Sequence, residues 1–243
     1  MSDIVQFGNY LEFDDIKTTD YSVWISGTGT FDAPVRAFEY VTIPGRSGDL
    51  ILNNNRFENV EITYPCFISK GFETRFDAFR AALMSKAGKY YLLRDTYHPN
   101  EFRMAAIKGG TTPETGPYNR AGRFDLVFNC KPQRYLVSGL TTTSLSASGT
   151  ITNPTRFTSL PHIRIYGTGT VGIGDVSVTV AENPFEYIDV DCEAMDCFYG
   201  AQNANSYLSV TGTAFPSLGP GDNGITLDDG IIRVEITPRW YTI

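Results

Sequence analysis

The amino-acid sequence predicts a mainly β protein of two domains, with one packed α-helix in the first domain. Short runs of alternating apolar and polar residues recur along the chain, which is the period of half-buried strands. Aromatic residues make up 13% of the chain and charged residues only 19%, a composition that favours strands over long charged helices. The length of 243 residues suits two ordinary domains. We expect a β-rich N-terminal domain over residues 1–136, a connector over 137–155 and a β-sandwich over 156–243.

The first strands are predicted by short apolar runs between turn signals. Residues 1–20 mix apolar and acidic side chains without a clean period and predict an irregular or edge-pairing arm. A strand is expected at 35–41. Apolar runs at 50–52 and 60–64 flank three asparagines at 53–55, an arrangement typical of a hairpin with a tight loop.

A single amphipathic helix is predicted between the strands. Four large apolar residues recur at spacings of 4, 3 and 4, which places them on one helix face: Phe72, Phe76, Phe79 and Leu83. Lys86 in the last turn and Gly88 just beyond it form a C-terminal stop. The pattern predicts a helix over about 72–87 that packs its phenylalanines on a sheet.

The segment Gly122–Leu136 is predicted to end the first domain. Phe124, Leu126 and Phe128 alternate with polar residues, so one face of a strand should be buried. Pro132 has no backbone N–H and disfavours a helical residue before it, so the sheet should release the chain near this point. The run that follows is rich in Ser, Thr and Gly. We assign four residues to the link between the domains: Lys131, Pro132, Arg134 and Tyr135.

Every segment after residue 155 predicts a short strand. Val176, Val178 and Val180 alternate after Gly174-Asp175, and two turn residues with glycine first suit a hairpin. A second turn at 228–230 predicts a closing hairpin. About seven short strands within about 90 residues are typical of a sandwich.

Charge and composition exclude some classes of partner. The net charge of −7 argues against specific nucleic-acid binding, because phosphate groups would be repelled. No stretch approaches the roughly 20 apolar residues needed to span a bilayer, and the first ten residues lack a signal region, so we expect no membrane insertion and maturation in the cytoplasm. The four cysteines lack C-x-x-C spacing and are expected to be reduced packing residues: Cys66, Cys130, Cys192 and Cys197.

One glycine motif has the spacing of a dinucleotide site. Gly167, Gly169 and Gly172 form G-x-G-x-x-G, and Asp189 follows at a suitable distance to meet a ribose hydroxyl. The residues after Gly172 alternate with the period of a strand, whereas the motif must open a helix that binds a pyrophosphate. We therefore expect the glycines to be turn and bulge positions and expect no cofactor.

The sequence contains no compelling catalytic or metal constellation. The segment Gly45–Gly48 contains a serine but does not match G-x-S-x-G, and the two histidines, His98 and His162, have no evident nucleophile to serve. Three carboxylates would project from one strand face, where they suit either Ca²⁺ binding or sugar hydrolysis: Asp189, Asp191 and Glu193. The simpler alternative is a solvated strand face. We expect no catalytic residue and no metal.

Aromatic residues support one alternative function. Five of them are candidates for a platform on which sugar rings stack: Trp24, Tyr199, Tyr207, Trp240 and Tyr241. Residues of this kind are more often core or subunit-contact residues. The alternative to a structural role is therefore a carbohydrate-binding β-sandwich for host cell-wall glycans.

Seven phrases of the sequence resemble the distal tail protein of siphophages, called Dit. In chain order they are PGRSGDL (44–50), GKYYLLRDTYHPNEFRMA (88–105), GRFDLVFNCKPQRYL (122–136), ITNPT (151–155), LPHIRIYGTG (160–169), FPSLGPGDNGI (215–225) and VEITPRW (234–240). Each phrase alone is a turn or strand signature. Their order and spacing together cover nearly the whole chain.

The resemblance implies a non-enzymatic virion protein. It implies that the N-terminal domain forms a homohexameric ring and that the C-terminal domain is a galectin-like sandwich outside the ring. The ring joins the tail tube protein to the tail-tip hub protein, and it is a platform for baseplate or receptor-binding proteins. The location implied is the virion tail tip, assembled in the host bacterial cytoplasm. Arg46 and Asp95 are our candidates for ring contacts.

Overall fold

The computed structural model describes residues 8–27, 29–212 and 214–243. The chain divides between Arg134 and Tyr135 into two compact units, and each unit has its own hydrophobic core. The predicted mainly β fold class is confirmed. Residues 1–7 of the predicted N-terminal arm lie outside the described residues, and the rest of that arm includes two short strands, of which only Ile16–Lys17 is at the edge of a sheet.

The first unit contains ten strands and one α-helix in the part of the chain that the structure describes. The strands are β1 (Leu11–Phe13), β2 (Ile16–Lys17), β3 (Trp24–Ile25), β4 (Arg36–Val41), β5 (Leu50–Phe57), β6 (Val60–Ile68), β7 (Tyr91–Asp95), β8 (Glu101–Ile107), β9 (Glu114–Thr115) and β10 (Gly122–Cys130). The helix, α1, spans Phe72–Ser85.

The main sheet of the first unit is antiparallel and curls back on itself. Its order is β2-β1-β7-β8-β10-β6-β3, and a bridge between Asn9 and Ile25 brings β3 back beside the start of β1. The long strands β6 and β10 pair along their whole length. Because side chains alternate along each strand, Ile62 and Tyr64 of β6 and Leu126 of β10 enter the core, where they are at most 2% exposed.

Helix α1 packs its predicted apolar face on this sheet. The four residues predicted to face inward are buried: Phe72, Phe76, Phe79 and Leu83. The ring of Phe124 on β10 lies 4.9 Å from that of Phe76 and 6.1 Å from that of Phe79. A Cβ atom at Gly122 would clash with the ring of Phe72. The glycine at the start of β10 therefore allows the helix to pack closely against this strand.

The hairpin predicted from the runs at 50–52 and 60–64 is wrong. Strand β5 continues through the three asparagines and pairs with β4 in a separate two-stranded sheet, whereas β6 pairs with β10 and β3. The side chain of Asn53 accepts a hydrogen bond from the N–H of Asn55, whose φ of 53° bends the strand without ending it. Alternate residues of β6 are buried, and this apolar face places the strand in the main sheet.

The second unit, with its entering strand, contains thirteen strands among the described residues. They are β11 (Arg134–Leu136), β12 (Thr143–Leu145), β13 (Gly149–Asn153), β14 (His162–Gly167), β15 (Gly169–Ile173), β16 (Val176–Val180), β17 (Ile188–Asp191), β18 (Asp196–Tyr199), β19 (Gln202–Asn203), β20 (Leu208–Val210), β21 (Gly221–Leu227), β22 (Ile231–Thr237) and β23 (Tyr241–Thr242). One sheet has the order β12-β22-β14-β17-β18-β19 and the other β13-β21-β15-β16-β20, and both contribute to one core.

The segment 137–155, expected to be a connector, contributes strands to the second unit. Strand β10 ends at Cys130, before Pro132. Strand β12 then pairs with β22, and β13 pairs with β21, so both are edge strands of the two sheets. Each has few apolar residues because only one of its faces meets the core, and Leu145 and Ile151 supply that contact. A short edge strand of this kind has too few residues to show a period.

The G-x-G-x-x-G motif forms turns and strand, as expected. Gly167 and Gly169 have φ of 97° and 135° in the tight connection between β14 and β15, and the pairing of β14 with β22 shifts register at Gly167. Strands β15 and β16, rather than a helix, follow Gly169, so the motif does not open a helix whose N-terminus could hold a pyrophosphate. No helix within the described residues is long and apolar enough to cross a membrane.

Candidate interaction surfaces

Strands β4 and β5 form an exposed two-stranded sheet, here called the apolar hairpin (36–57). None of the residues of β5 is buried. Six large apolar side chains of the hairpin are 36–62% exposed: Phe38, Tyr40, Val41, Leu50, Ile51 and Leu52. A two-stranded sheet on its own is only marginally stable in water, and clustered exposed apolar side chains of this kind mark interaction sites. The apolar hairpin is therefore a candidate contact surface.

Arg46 lies in the turn that joins the two strands of the apolar hairpin. Its backbone N–H donates to the carbonyl oxygen of Ile43 at 3.2 Å, and its side chain is exposed. Thr42 and Asp49 brace the base of this turn through a hydrogen bond of 2.9 Å. The position leaves Arg46 accessible to a partner, and its role in a ring contact stays a prediction.

Asp95, the other predicted ring-contact residue, lies in a polar cluster within the first unit. Its carboxylate accepts a hydrogen bond from Tyr64 Oη at 2.8 Å and from the backbone N–H of His98 at 2.8 Å, and its side chain is only 9% exposed. Burial, followed by the charge of Asp95, raises the pKa of Tyr64. The structure thus engages Asp95 internally and does not bring it together with Arg46.

A groove of about 1110 Å³ runs over the outer face of β6 and β10. Residues 110–116 form one wall, and Pro65, Phe67 and Val127 contribute apolar surface to the floor. Arg123 and Asp125 line it as well. The first unit therefore offers a concave surface in addition to the projecting hairpin.

The four linker residues divide between the two units. The backbone N–H of Lys131 donates to the carbonyl oxygen of Met104 at 2.8 Å, Pro132 is buried, and Arg134 lies 3.3 Å from Glu101. Tyr135 instead lies with its ring 6.1 Å from that of Tyr241, and burial raises its pKa to about 12. Their effect on the orientation of the second unit stays a prediction.

The three carboxylates expected to form a solvated acidic face differ in burial, since Asp189 is buried, Asp191 is half-buried and Glu193 is exposed, but each lies beside an arginine. Asp189 is 4% exposed, and it accepts hydrogen bonds from Arg164 Nε at 2.8 Å and Arg164 Nη2 at 3.1 Å. Arg164 comes from the neighbouring strand β14, which lies directly opposite β17 in this sheet. The sequence did not predict this pairing because it depends on strand order.

Asp191 is held just as firmly. Arg239 forms two hydrogen bonds with it, at 2.9 and 2.8 Å, and lies 3.7 Å from Glu193. Burial alone would raise the pKa of Asp191, but the hydrogen bonds from Arg239 and from the backbone N–H groups of Ala194 and Glu193 lower it to about 2. A carboxylate in this state is a poor general acid at neutral pH. The pair Asp189 and Asp191 is therefore structural in character.

The aromatic residues of the proposed sugar platform do not form one surface. Trp240 is 5% exposed and belongs to the core of the second unit, whereas Trp24 belongs to the first unit. The ring of Tyr199 stacks on that of Phe185 at 4.9 Å, and Tyr241 stacks near Phe157. These contacts are typical of packing.

The four cysteines are buried, free thiols. Burial raises the pKa of Cys130, Cys192 and Cys197 to about 12, and it also raises that of Cys66. Thiols that stay protonated at neutral pH are weak nucleophiles and weak metal ligands. No group of three or more His, Cys, Asp or Glu side chains placed to hold a metal ion occurs in the described ranges.

A set of planar side chains on the outer face of the second unit was missed by the sequence analysis. The guanidinium of Arg233 on β22 lies 3.9 Å from the ring centre of Tyr166 on β14, and that of Arg164 on β14 lies 4.1 Å from the ring centre of Tyr187, the residue before β17. The two tyrosine rings are 5.6 Å apart. We call Arg164, Tyr166, Tyr187 and Arg233 the stacked face. The alternation in His162–Gly167 indicates that Arg164 and Tyr166 share the outer face of a strand. Tyr187 and Arg233, which stack on them, are distant in sequence and could not be identified from this pattern.

The fold is similar to those of solved phage tail structures. The chain matches the crystal structure of the Dit protein of SPP1, described as a hub adsorption apparatus in phages that infect Gram-positive bacteria, with a TM-score of 0.69 and 14% identity over 98% of this chain and 100% of that chain. It also matches the phage P2 baseplate in its activated conformation, with Ca (TM-score 0.55) and with Sr (TM-score 0.54), each at 10% identity over 95% of this chain and 97% of that chain.

No protein-family model and no curated protein matches the sequence. At these low identities, the structural matches establish a common fold. The resemblance to Dit predicted from the sequence is confirmed at that level.

Proposed function

We propose that this protein is a structural component of a phage tail tip, a distal tail protein that assembles as a homohexameric ring. In this proposal, the first domain (residues 1–136) forms the ring, and the second (156–243) is a galectin-like sandwich on its outside. The ring joins the tail tube protein to the tail-tip hub protein and is a platform for baseplate or receptor-binding proteins. The protein is assembled in the host cytoplasm and resides in the virion tail tip.

The observation that carries this proposal is the end-to-end match to the Dit protein of SPP1. The match covers 98% of this chain and 100% of that chain, so nearly the whole of this fold has a counterpart in the other. The two baseplate matches also extend over 95% of this chain. We infer a common function from the shared architecture of both domains.

The apolar hairpin supports self-association. Its exposed side chains, such as Tyr40 at 62% and Ile51 at 55%, remain in water unless a partner covers them. A closed ring needs a heterologous contact, in which a projecting surface of one copy meets a different surface of the next. The hairpin is a projecting surface of this kind, and the groove over β6 and β10 is a concave surface of the same unit.

The engaged carboxylates support a non-enzymatic role. Asp189 and Asp191, the candidates for acid–base chemistry, are each bound by an arginine through two hydrogen bonds. The cysteine thiols are buried and protonated. Asp189 and Asp191 contribute to the structure of the second unit, and the cysteines pack in the cores of both units.

The aromatic residues that suggested the carbohydrate-binding alternative do not support it. Trp240, one of the candidates for the sugar platform, lies in the core at 5% exposure. Its replacement by alanine would destabilise the unit whether or not a glycan binds. A glycan array with the unchanged protein is the better experiment, and the structural proposal predicts no saturable binding.

Size-exclusion chromatography with light scattering tests the proposed assembly. Six chains of 26.9 kDa give a ring of about 161 kDa. Negative-stain microscopy of the same fraction should show rings. The sample is measured alone and after addition of purified tail tube and hub proteins, because a ring component can require a partner to assemble. A strict monomer under both conditions would overturn the proposal.

A further inference from the structure

The whole net charge of the chain lies in the second unit. Residues 1–134 contain sixteen Lys and Arg and sixteen Asp and Glu, whereas residues 135–243 contain four arginines, eleven Asp and Glu, and no lysine. The first unit is therefore close to neutral, and the second carries the net charge of −7. A surface that binds the second unit meets a negative field.

Three of the four arginines of the second unit are neutralised within it. Arg164 pairs with Asp189 at 2.8 Å, Arg239 pairs with Asp191 at 2.8 Å, and Arg233 pairs with Glu235 at 3.2 Å. Six further carboxylates of this unit are exposed to solvent: Asp175, Glu182, Glu186, Asp222, Asp228 and Asp229. The positive charges are thus used inside the unit, and the excess negative charge is presented outside it.

The stacked face provides a rigid, flat centre for an interface. Its tyrosine rings and guanidinium groups support each other at 3.9–4.1 Å, which limits the side-chain freedom that binding would remove. Beside it on β22, Ile232 is 73% exposed. Tyrosine and arginine are enriched at the centres of protein interfaces, whereas lysine, which this unit lacks, is depleted there.

Carboxylates surround this centre. Glu235 lies on the same face beside Arg233, and the charge of Glu186 also acts on Arg233. The turn that contains Asp228 and Asp229 joins β21 to β22 and lies against the end of β14, since the N–H of Thr168 donates to the carbonyl oxygen of Gly230. An aromatic and apolar centre within an acidic rim has the anatomy of a protein-binding site.

We propose that the stacked face, with Ile232 and the acidic rim, docks another tail-tip protein through a basic surface of that protein. The inference rests on the proposed function, since it names the kind of partner that the platform takes. Lysine or arginine side chains of the partner would meet Glu186, Asp228 and Asp229, and an apolar side chain would cover Ile232. A nucleic acid would be repelled by the same carboxylates, so the partner is a protein.

The test measures binding of each purified tail-tip protein of the phage to the immobilised chain by surface plasmon resonance. The key variant, Asp228→Lys/Asp229→Lys, reverses two rim charges on an exposed turn. Its control, Asp175→Lys/Asp222→Lys, makes the same change in net charge at exposed positions of the other sheet. A third variant, Ile232→Ser, removes apolar surface at the centre.

Among the tail-tip proteins that bind, we expect one whose affinity depends on the stacked face and falls as salt rises from 50 to 300 mM. The key variant should weaken that binding at least tenfold, Ile232→Ser several-fold, and the control less than twofold. Equal weakening by the key variant and the control, or no effect of either, would overturn the inference. So would a failure of every tail-tip protein to bind while the unchanged chain forms rings.

Ring formation separates this inference from the proposed function. Light scattering on the same samples should show that the Asp228→Lys/Asp229→Lys variant still assembles like the unchanged chain. If the unchanged chain forms no ring and binds no tail protein, the proposed function fails and the inference fails with it.

Discussion

The apolar hairpin of the first unit and the stacked face of the second unit expose surfaces of different character. The hairpin presents six apolar side chains on strands that contribute no hydrogen bonds to the main sheet. The stacked face presents planar polar side chains whose charges are already paired, on strands in the middle of a six-stranded sheet. The first surface is costly to leave uncovered, whereas the second is stable in water. Changes in the hairpin should therefore affect assembly, and changes beneath the stacked face should affect stability.

The largest effect is expected from removing apolar surface on the hairpin. Tyr40 and Ile51 lie opposite each other in the pairing of β4 with β5. Replacing both by threonine keeps the preference for strand and removes the apolar contact. We expect the ring of about 161 kDa to be lost in favour of the 26.9 kDa chain, with little change in the thermal unfolding of the monomer. Size-exclusion chromatography with light scattering measures the loss of the ring, and calorimetry measures the thermal unfolding.

The matched control for the hairpin variant changes two exposed apolar residues of the second unit. Leu160 and Ile232 are 41% and 73% exposed, and the variant Leu160→Thr/Ile232→Thr should form rings as the unchanged chain does. If both double variants dissociate equally, exposed apolar surface in general drives the association, and the hairpin has no special role.

The next largest effect is expected at the ion pair between Arg164 of the stacked face and the buried Asp189. Arg164→Met removes the partner of Asp189, which is then buried without a compensating charge. We expect a loss of about 2–4 kcal/mol in the free energy of unfolding, in the lower part of the usual range because the side chain of Arg164 is itself 35% exposed. Chemical denaturation measures it. The double variant Arg164→Met/Asp189→Leu should recover most of the loss, and no recovery would show that the pair is not the cause.

A smaller effect is expected at a buried amide that organises one end of the second unit. Asn153 is 2% exposed, and its side-chain amide donates to the carbonyl oxygens of Phe157 at 2.9 Å and Leu218 at 3.0 Å. Asn153→Ala leaves both carbonyl groups without this donor and should cost about 2–3 kcal/mol in the free energy of unfolding. The exposed Asn205→Ala should cost less than about 1 kcal/mol. Equal costs for the two variants would contradict the role of Asn153.

The pair of Asp191 with Arg239 predicts a dependence on pH. The pKa of Asp191 is lowered from 3.8 to about 2, so its contribution to stability is fully present above about pH 4 and is lost as the pH falls through about 2. A shift of this size corresponds to about 2 kcal/mol. Unfolding by denaturant between pH 2 and pH 6 should show this loss in the unchanged chain. Asp191→Asn should be less stable at pH 6 and less dependent on pH, and an unchanged slope would exclude the assignment.

The smallest effect is expected from His162. Burial lowers its pKa, although Asp189, 3.6 Å away, acts in the opposite direction. The unfolded chain therefore binds a proton more readily than the folded chain below about pH 6.5, so stability should fall as the pH drops below this value. Asp191, Arg164 and Arg239 also act on this ring. His162→Gln should flatten the dependence between pH 5 and pH 7, and a steeper dependence would show that the shift has the opposite sign.

Local patterns in the sequence predicted the local structure. The spacing of Phe72, Phe76, Phe79 and Leu83 predicted the buried face of α1, which ends at Ser85, close to the expected 87. The alternation of Phe124, Leu126 and Phe128 predicted the buried face of β10. In both elements, every residue of the buried face contacts the same core. A short stretch of sequence is therefore enough to predict which residues are buried.

Features that depend on partners distant in sequence were not predictable in the same way. Strand β5 pairs with β4 because β6 is buried in the main sheet, where it pairs with β10. No property of the three asparagines in β5 indicates this arrangement. The burial of Asp189 depends on Arg164, which is 25 residues away on a neighbouring strand. The engagement of Asp95 by Tyr64 is of the same kind. Strand order, rather than composition, determines these contacts.

The absence of lysine from residues 135–243 allows the first unit to be modified selectively at its lysine side chains. All six lysines lie between positions 17 and 131, and Lys70, Lys89 and Lys108 are exposed. Amine-reactive coupling to a surface or a dye therefore modifies lysine side chains of the first unit alone. A sensor surface prepared in this way holds every molecule by the same unit and leaves the acidic unit unmodified.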